Sequence, residues 1–330
     1  MKTQEANVLK RRSDARPLWL ALAMLALPIA PASAQDGNIM EAVETIERKM
    51  LDGLFEVVDT RGSRFQGDRT DRAALQFEDG SMMLAKWARA PSGAEDFNNQ
   101  PRYEAAAYEL QKLFLDEPDY VVPPTVVRAF PLAWYERLEP RVSPTLRNTN
   151  AVLVTLQYWL FNVTDDDVWD GGRFEADTAY ARHFADLNIL TYLIRHNDEN
   201  VGNLLISRDP ANPRVFAVDN GLAFASMMSD RGARWRNLRV KGLPRGTVER
   251  LRALTHEELT RALETVVQFR VMADGGLERV PVTANVDAGR GVRHVDDTIQ
   301  IGLTEREIRD TWRRLERLVG DIEAGEYRVF

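Results

Sequence analysis

Two short acidic loops separated by one apolar hairpin constrain this chain more than any other feature. Residues 195–203 read RHNDENVGN and residues 214–224 read RVFAVDNGLAF. Between them, 203–207 and 214–218 have the composition of short strands, joined by the turn-rich Arg208-Asp209-Pro210-Ala211-Asn212-Pro213. Asp219 leaves the apolar run RVFAV and is followed by the apolar GLAF, so it emerges from a core and not from a solvated corner. A loop carboxylate such as Asp198 can approach a hydroxyl. Five residues on, Asn203 can turn an oxygen back toward a cation, and the next strand brings Asp219 to the same cation. Hard oxygen ligands of this kind, completed by phosphate oxygens and water, suit Mg²⁺. Gly221 is expected to permit a backbone turn that a Cβ would obstruct.

The rest of the chain sorts into a strand-rich part and a helix-rich part. Residues 54–60 and 73–88 read as strands, with Asp79-Gly80 marking a hairpin in the second. From Tyr103, apolar residues recur at spacings of three and four (Ala106, Ala107, Leu110, Leu113, Phe114), which predicts a helix stopped by Pro118. Residues 120–138 read as strands broken by prolines. Residues 150–162 read as an apolar helical block, and 174–195 as a second helix ending at Arg195. Thr255-His256-Glu257-Glu258 and Thr304-Glu305-Arg306-Glu307 are S/T-x-x-E capping boxes that open amphipathic helices. Residues 270–300 suggest no role. The expected organisation is a leader over 1–34, a strand-rich lobe over 35–145 and a helical lobe over 146–330.

The N-terminus directs the chain across a membrane. Lys2, Lys10, Arg11, Arg12 and Arg16 precede the uncharged apolar run Pro17–Ala30, and Ala32-Ser33-Ala34 forms a small-x-small cleavage pattern. A short h-region with prolines favours a cleaved signal peptide over an uncleaved anchor, and either places the folded part on the exported side, periplasmic or secreted. Beyond residue 34 the chain carries 38 basic and 48 acidic residues, a net −10, which gives no basis for general nucleic-acid binding. No later run is long and apolar enough to span a bilayer. The chain has no cysteine, which excludes disulfides, cysteine metal sites and cysteine nucleophiles.

His196-Asn197-Asp198 followed by Asn203 fits H-x-D-x4-N, and Asp219-Asn220-Gly221 stands where a kinase has Asp-Phe-Gly. Together with Glu104-Ala-Ala-Ala-Tyr108 and Val121-Val-Pro-Pro-Thr-Val126, these segments resemble the atypical kinases of the phosphatidylinositol 3-/4-kinase-like group. The type II phosphatidylinositol 4-kinases are the most similar, with the HipA-type and secreted Golgi casein kinases related. The resemblance covers about residues 72–225. It implies an α+β, bilobal protein-kinase-like fold and an ATP- and Mg-dependent transfer to a protein or lipid hydroxyl. It also implies roles: Lys86 for the nucleotide phosphates, Glu104 as the partner of Lys86, Asp198 as the catalytic carboxylate, and Asn203 with Asp219 as metal ligands. Periodicity alone leaves Glu104 and Glu109 equivalent. Met82, Leu84 and Lys86 share one face of a strand, as a lysine facing a cleft would.

The sequence departs from that pattern where Glu199 and Asn200 replace the arginine and histidine that follow the family's aspartate. A glycine-rich loop is weakly represented by Gly62 and Gly67, among Arg61, Arg64, Arg69 and Arg72. His183 reads as a core histidine, and His256 and His294 lie too far off in sequence for a zinc site with it. Trp134, Trp159 and Trp235 read as packing residues. The basic stretch Ser229–Arg236 stands where a kinase positions its substrate. Export keeps a second reading open, a non-catalytic pseudokinase or binding module, because ATP is scarce outside the cytoplasm. A nucleotidyl transferase on the same scaffold is a variant of the first.

Overall fold

The computed structural model describes residues 37–62, 70–96, 99–198, 202–224 and 234–330. The leader, Arg64, Gly67, Arg69, Glu199, Asn200 and most of Ser229–Arg236 therefore lie outside the described residues. The described residues form one body.

Its strand-rich part opens with α1 (Val43–Asp52) and β1 (Phe55–Gly62), then the hairpin β2 (Thr70–Phe77) and β3 (Met82–Arg89). Asp79-Gly80 makes the turn as expected: Gly80 sits at φ 80°, and the Asp79 carboxylate accepts from Ser81 N at 2.8 Å. Next come α2 (Pro101–Gln111), β4 (Thr125–Pro131), α3 (Leu132–Tyr135) and β5 (Ala151–Tyr158). The five strands form an antiparallel sheet in the order β1-β2-β3-β5-β4. Met83, Ala85 and Trp87 of β3, with Val152, Val154 and Leu156 of β5, bury one face with Ile46 and Met50 of α1. The Arg128 guanidinium donates to Met50 O and Gly53 O, satisfying carbonyls at the end of α1.

β5 corrects the sequence reading. Residues 151–158 are a strand and not a helix, and all eight are buried. A strand covered on both faces shows an unbroken apolar run, which carries neither the alternation of a half-exposed strand nor a distinct helical stripe. Its pairing with β3 and β4 extends the strand-rich part through Tyr158. At the turn that follows, Asn38 Nδ2 donates to Phe161 O and Asn162 O, while Phe161 N donates to Asn38 O.

The helix-rich part contains β6 (Val163–Thr164), α4 (Gly171–Ala176), α5 (Thr178–Leu193), β7 (Leu204–Ser207), β8 (Val215–Ala217) and β9 (Gly242–Leu243). It continues with α6 (Arg245–Ala253), α7 (His256–Leu263), β10 (Val267–Val271), β11 (Leu277–Val280), β12 (Val292–Val295), β13 (Thr298–Ile301), α8 (Glu305–Glu323) and β14 (Arg328–Val329). β6, β7 and β8 make a small antiparallel sheet, and β14 pairs with β9 in parallel. Both capping boxes form, at Thr255–Glu258 and Thr304–Glu307. Trp235 is buried against Trp169 and Phe184, and Trp134 stacks on Phe130.

Residues 267–301, which include the stretch 270–300 given no role from sequence, hold a four-stranded antiparallel sheet in the order β11-β10-β13-β12. Val267, Phe269, Ile299 and Ile301 pack from it against Ala105 of α2 and Leu153 of β5. The other side of α2 contributes Tyr103, Ala106, Ala107 and Leu110 to a core shared with Phe184, Leu187 and Leu190 of α5, Leu259 of α7 and Ile308 of α8. This helix is enclosed on every side: ten of its eleven residues are buried. Among the described residues, no helix is long and apolar enough to cross a membrane.

Candidate functional site

β3 presents alternate faces. Met83, Ala85 and Trp87 are buried, whereas Met82, Leu84 and Lys86 form the more open row. Lys86 is opposite Gln157 of β5 and Arg72 of β2. Its ammonium donates to Glu104 Oε1 at 2.9 Å and to Val218 O at 3.2 Å, and it lies 3.5 Å from Asp219 Oδ1. Glu104 Oε2 accepts from Asn220 N at 3.0 Å. Three elements remote in sequence, β3, α2 and the loop after β8, therefore meet at one ammonium. Glu109 instead pairs with Lys112, at 2.9 Å.

Electrostatics differentiates the two carboxyl groups. Burial would lower the Lys86 pKa, but Asp219 and Glu104 outweigh it and raise the value, so the lysine stays cationic. Burial pushes Glu104 up, with Lys86 opposing and the Asp219 charge adding to the rise. Burial would also raise Asp219, but Lys86 holds it below the usual carboxylate range. The Asp219 side chain is 43% exposed against 8% for Glu104, so Asp219 is the carboxylate open to a ligand. Two acids share one base, which leaves the site receptive to a further cation.

The loop of Asp198 is tied to the loop of Asp219. α5 ends through Arg195, at a left-handed φ of 50°, and His196 N then bonds to Thr191 O. His196 is fully buried, and its Nε2 lies 2.8 Å from the Asp219 carbonyl. A carbonyl only accepts, so Nε2 carries the proton; burial lowers the imidazole pKa and keeps the ring neutral. Asn197 N donates to Leu222 O, and Phe224 N to Ile194 O. Asn203 Nδ2 donates to Asp198 O at 2.8 Å, which leaves the amide oxygen of Asn203 to face another partner. Val218 N donates to Asn203 O, joining the base of β7 to the strand that carries Asp219.

The structure thus joins Lys86, Glu104 and Asp219 directly, and links Asp198 and Asn203 to them through His196 and Val218. Gly221 has no positive φ: among the described residues of the two loops, the left-handed positions are Arg195 at 50°, Gly202 at 98° and Phe224 at 52°. His183 is a buried helix residue whose nearest acid is Asp119, with Nδ1 4.0 Å away. Three participants had no sequence signal as such: the Val218 carbonyl, the Asn220 amide and the turn at Gly202. All three act through the backbone, which residue identity does not encode. Among the described residues no group of three or more His, Cys, Asp or Glu side chains is arranged to hold a metal alone.

The fold is similar to that of solved structures. The Golgi casein kinase superposes with a TM-score of 0.50 at 14% identity, over 85% of this chain and 75% of that one. A hydra Fam20 determined with sugar superposes with a TM-score of 0.50 at 13% identity, over 87% of this chain and 92% of that one. The fold is kinase-like. In this kinase-like fold the five-stranded sheet carries Lys86, α2 carries Glu104, and the loops flanking β7 and β8 carry the remaining candidates. No protein-family model matches the sequence, and a search of curated proteins found no match.

Proposed function

We propose that this protein is an ATP- and Mg-dependent phosphotransferase that acts on a hydroxyl of a protein or lipid. The observation that carries the reading is Lys86, held at 2.9 Å from Glu104 and 3.5 Å from Asp219 by three separate elements. In this reading Lys86 contacts the nucleotide phosphates and Glu104 fixes its direction. Asp219 and the Asn203 amide oxygen hold the Mg²⁺ that accompanies the phosphates, and Asp198 orients the acceptor hydroxyl. The donor set fits such an ion: oxygens from one carboxylate and one amide, short of a complete shell without phosphate and water. The bound ion would supply neutralisation of charge on the phosphoryl oxygens. The chain's own groups supply position and preset charge, which is most of what phosphoryl transfer requires. We include export through residues 1–34 in the proposal.

Thermal melting with millimolar ATP and Mg²⁺ tests binding, because a ligand of the native state raises the midpoint by mass action. A rise is expected in the wild type and none in Asp219→Ala. No rise in the wild type overturns the reading. Transfer of labelled phosphate from ATP, absent in Asp198→Ala, tests turnover. Binding without turnover would instead support a non-catalytic nucleotide-binding module.

A further inference from the structure

Arg102, Tyr103 and Glu104 are consecutive in the first turn of α2, a helix whose N-terminus has no side-chain cap. At about 100° per residue, Arg102 lies about 200° from Glu104, so the two leave the helix on opposite sides. Glu104 meets Lys86, whereas Arg102 and Tyr103 meet one residue of the C-terminal helix. Arg102 Nη1 donates to Glu307 Oε2 at 2.6 Å, and the Tyr103 hydroxyl donates to Glu307 Oε1 at 2.5 Å. Glu307 Oε2 also accepts from Thr304 N at 2.8 Å, as the capping-box residue of α8. The Glu307 side chain is 4% exposed and that of Arg102 is 8% exposed, so the pair is held out of water with both carboxylate oxygens committed.

The surroundings leave Arg102 no alternative position. Its Nε pairs with Glu95 at 2.7 Å, and its guanidinium lies 4.1 Å from the centre of the Tyr103 ring. A Cβ on Gly291 would come within 2.5 Å of the guanidinium, so the β-sheet of residues 267–301 closes over it. The Tyr103 ring in turn packs on Phe224, 5.3 Å between centres, at the end of the Asp219 loop. One carboxylate therefore contacts both Arg102 and Tyr103 in the first turn of α2, and Tyr103 touches the segment carrying Asp219.

We propose that Glu307 is a positioning residue: by holding Arg102 and Tyr103 it sets the rotation of α2 and keeps Glu104 on Lys86. This deepens the phosphotransferase reading and, for its consequence on nucleotide affinity, rests on it. Glu307→Gln keeps the shape of the side chain and removes its charge. Tyr103→Phe removes the hydroxyl that donates to Glu307 and accepts from Arg102 at 2.9 Å, while keeping the ring on Phe224.

The test uses the full chain, with acylation of Lys86 by an amine reagent followed by peptide mass spectrometry, in the absence of nucleotide. The Lys86 side chain is only 12% exposed while Glu104 holds it, so a lysine released from Glu104 is more accessible to the reagent and reacts faster. The expected order of rates is wild type, then Tyr103→Phe, then Glu307→Gln at least fivefold faster than wild type. Met50→Ala, a cavity in α1 within a core that holds no residue of α2, is the control that lowers the thermal midpoint with no change in Lys86 labelling. Equal labelling in wild type, Tyr103→Phe and Glu307→Gln overturns the inference. A second arm measures the affinity for ATP with Mg²⁺, expected at least tenfold weaker in Glu307→Gln and unchanged in Met50→Ala. A wild type that binds no nucleotide refutes the phosphotransferase reading, and the labelling arm still decides the role of Glu307.

Discussion

Asp186 is buried on α5, with the Thr247 hydroxyl donating to it at 2.7 Å, and burial pushes its carboxyl up to about 8. His183, on the same helix, is pushed down to about 4 by burial, with the neighbouring Arg182 charge adding to the shift. The signs oppose. Asp186 contributes stability that is complete below its ordinary value of 3.8 and lost as pH rises through about 8. His183 contributes stability present above its ordinary value of 6.5 and lost as pH falls through about 4. The two offset each other between pH 4 and 6.5, and Asp186 acts alone from 6.5 to 8. The thermal midpoint is expected to fall across that upper window, with a slope of up to about 1.4 kcal/mol per pH unit from this one group. Asp186→Asn, which retains an acceptor for Thr247, should flatten it. An unchanged slope in that variant, read by melting at pH 6.5, 7.2 and 8, would refute the assignment. Neither shift was legible in the sequence, because the depth at which a titratable group sits is a tertiary quantity. Glu104 and Glu109 make the same point: they flank one helical stripe, and only the position of β3 gives Lys86 to the first and not the second.

At the scale of elements, legibility followed locality. The Asp79-Gly80 hairpin, the helix beginning near Tyr103 and the boxes at Thr255 and Thr304 formed as expected, because each depends on residues within a few positions. β5 did not, because its conformation depends on β3 and β4 on either side and on layers above and below. This placement has an energetic consequence. Leu156 is 0% exposed in β5, whereas Met82 is 52% exposed at the start of β3. Leu156→Ala is expected to cost about 2–5 kcal/mol in chemical denaturation, and Met82→Ala about 0.5 kcal/mol or less. Comparable losses in the two variants would show that residues 151–158 are not a central strand. Gly302 illustrates the same dependence, since a Cβ there would overlap Glu264 O across the turn between α7 and the second sheet.

At the scale of the molecule, α2 joins the two parts of the chain. It packs against β4 and β5 on one side and against α5 and α7 on another, and the sheet of residues 267–301 covers what is left. Cores that share a helix in this way should unfold together. Calorimetry of the chain beyond residue 34 is expected to give one transition, with the calorimetric enthalpy equal to the van't Hoff enthalpy. Two resolved transitions would show that the strand-rich and helix-rich parts are independent.

The sequence by itself carried the candidates and their order along the chain: Lys86, a helix glutamate at 104 or 109, then Asp198, Asn203 and Asp219, with short strands between the last two. Those signals are spacing and composition, which a linear chain carries in full. Tertiary structure alone decided which glutamate meets Lys86, that residues 151–158 are a strand, and that Glu307 reaches Arg102 across 205 positions. These outcomes depend on burial and on contacts between distant segments. Their energies arise only once the chain has excluded water from between them.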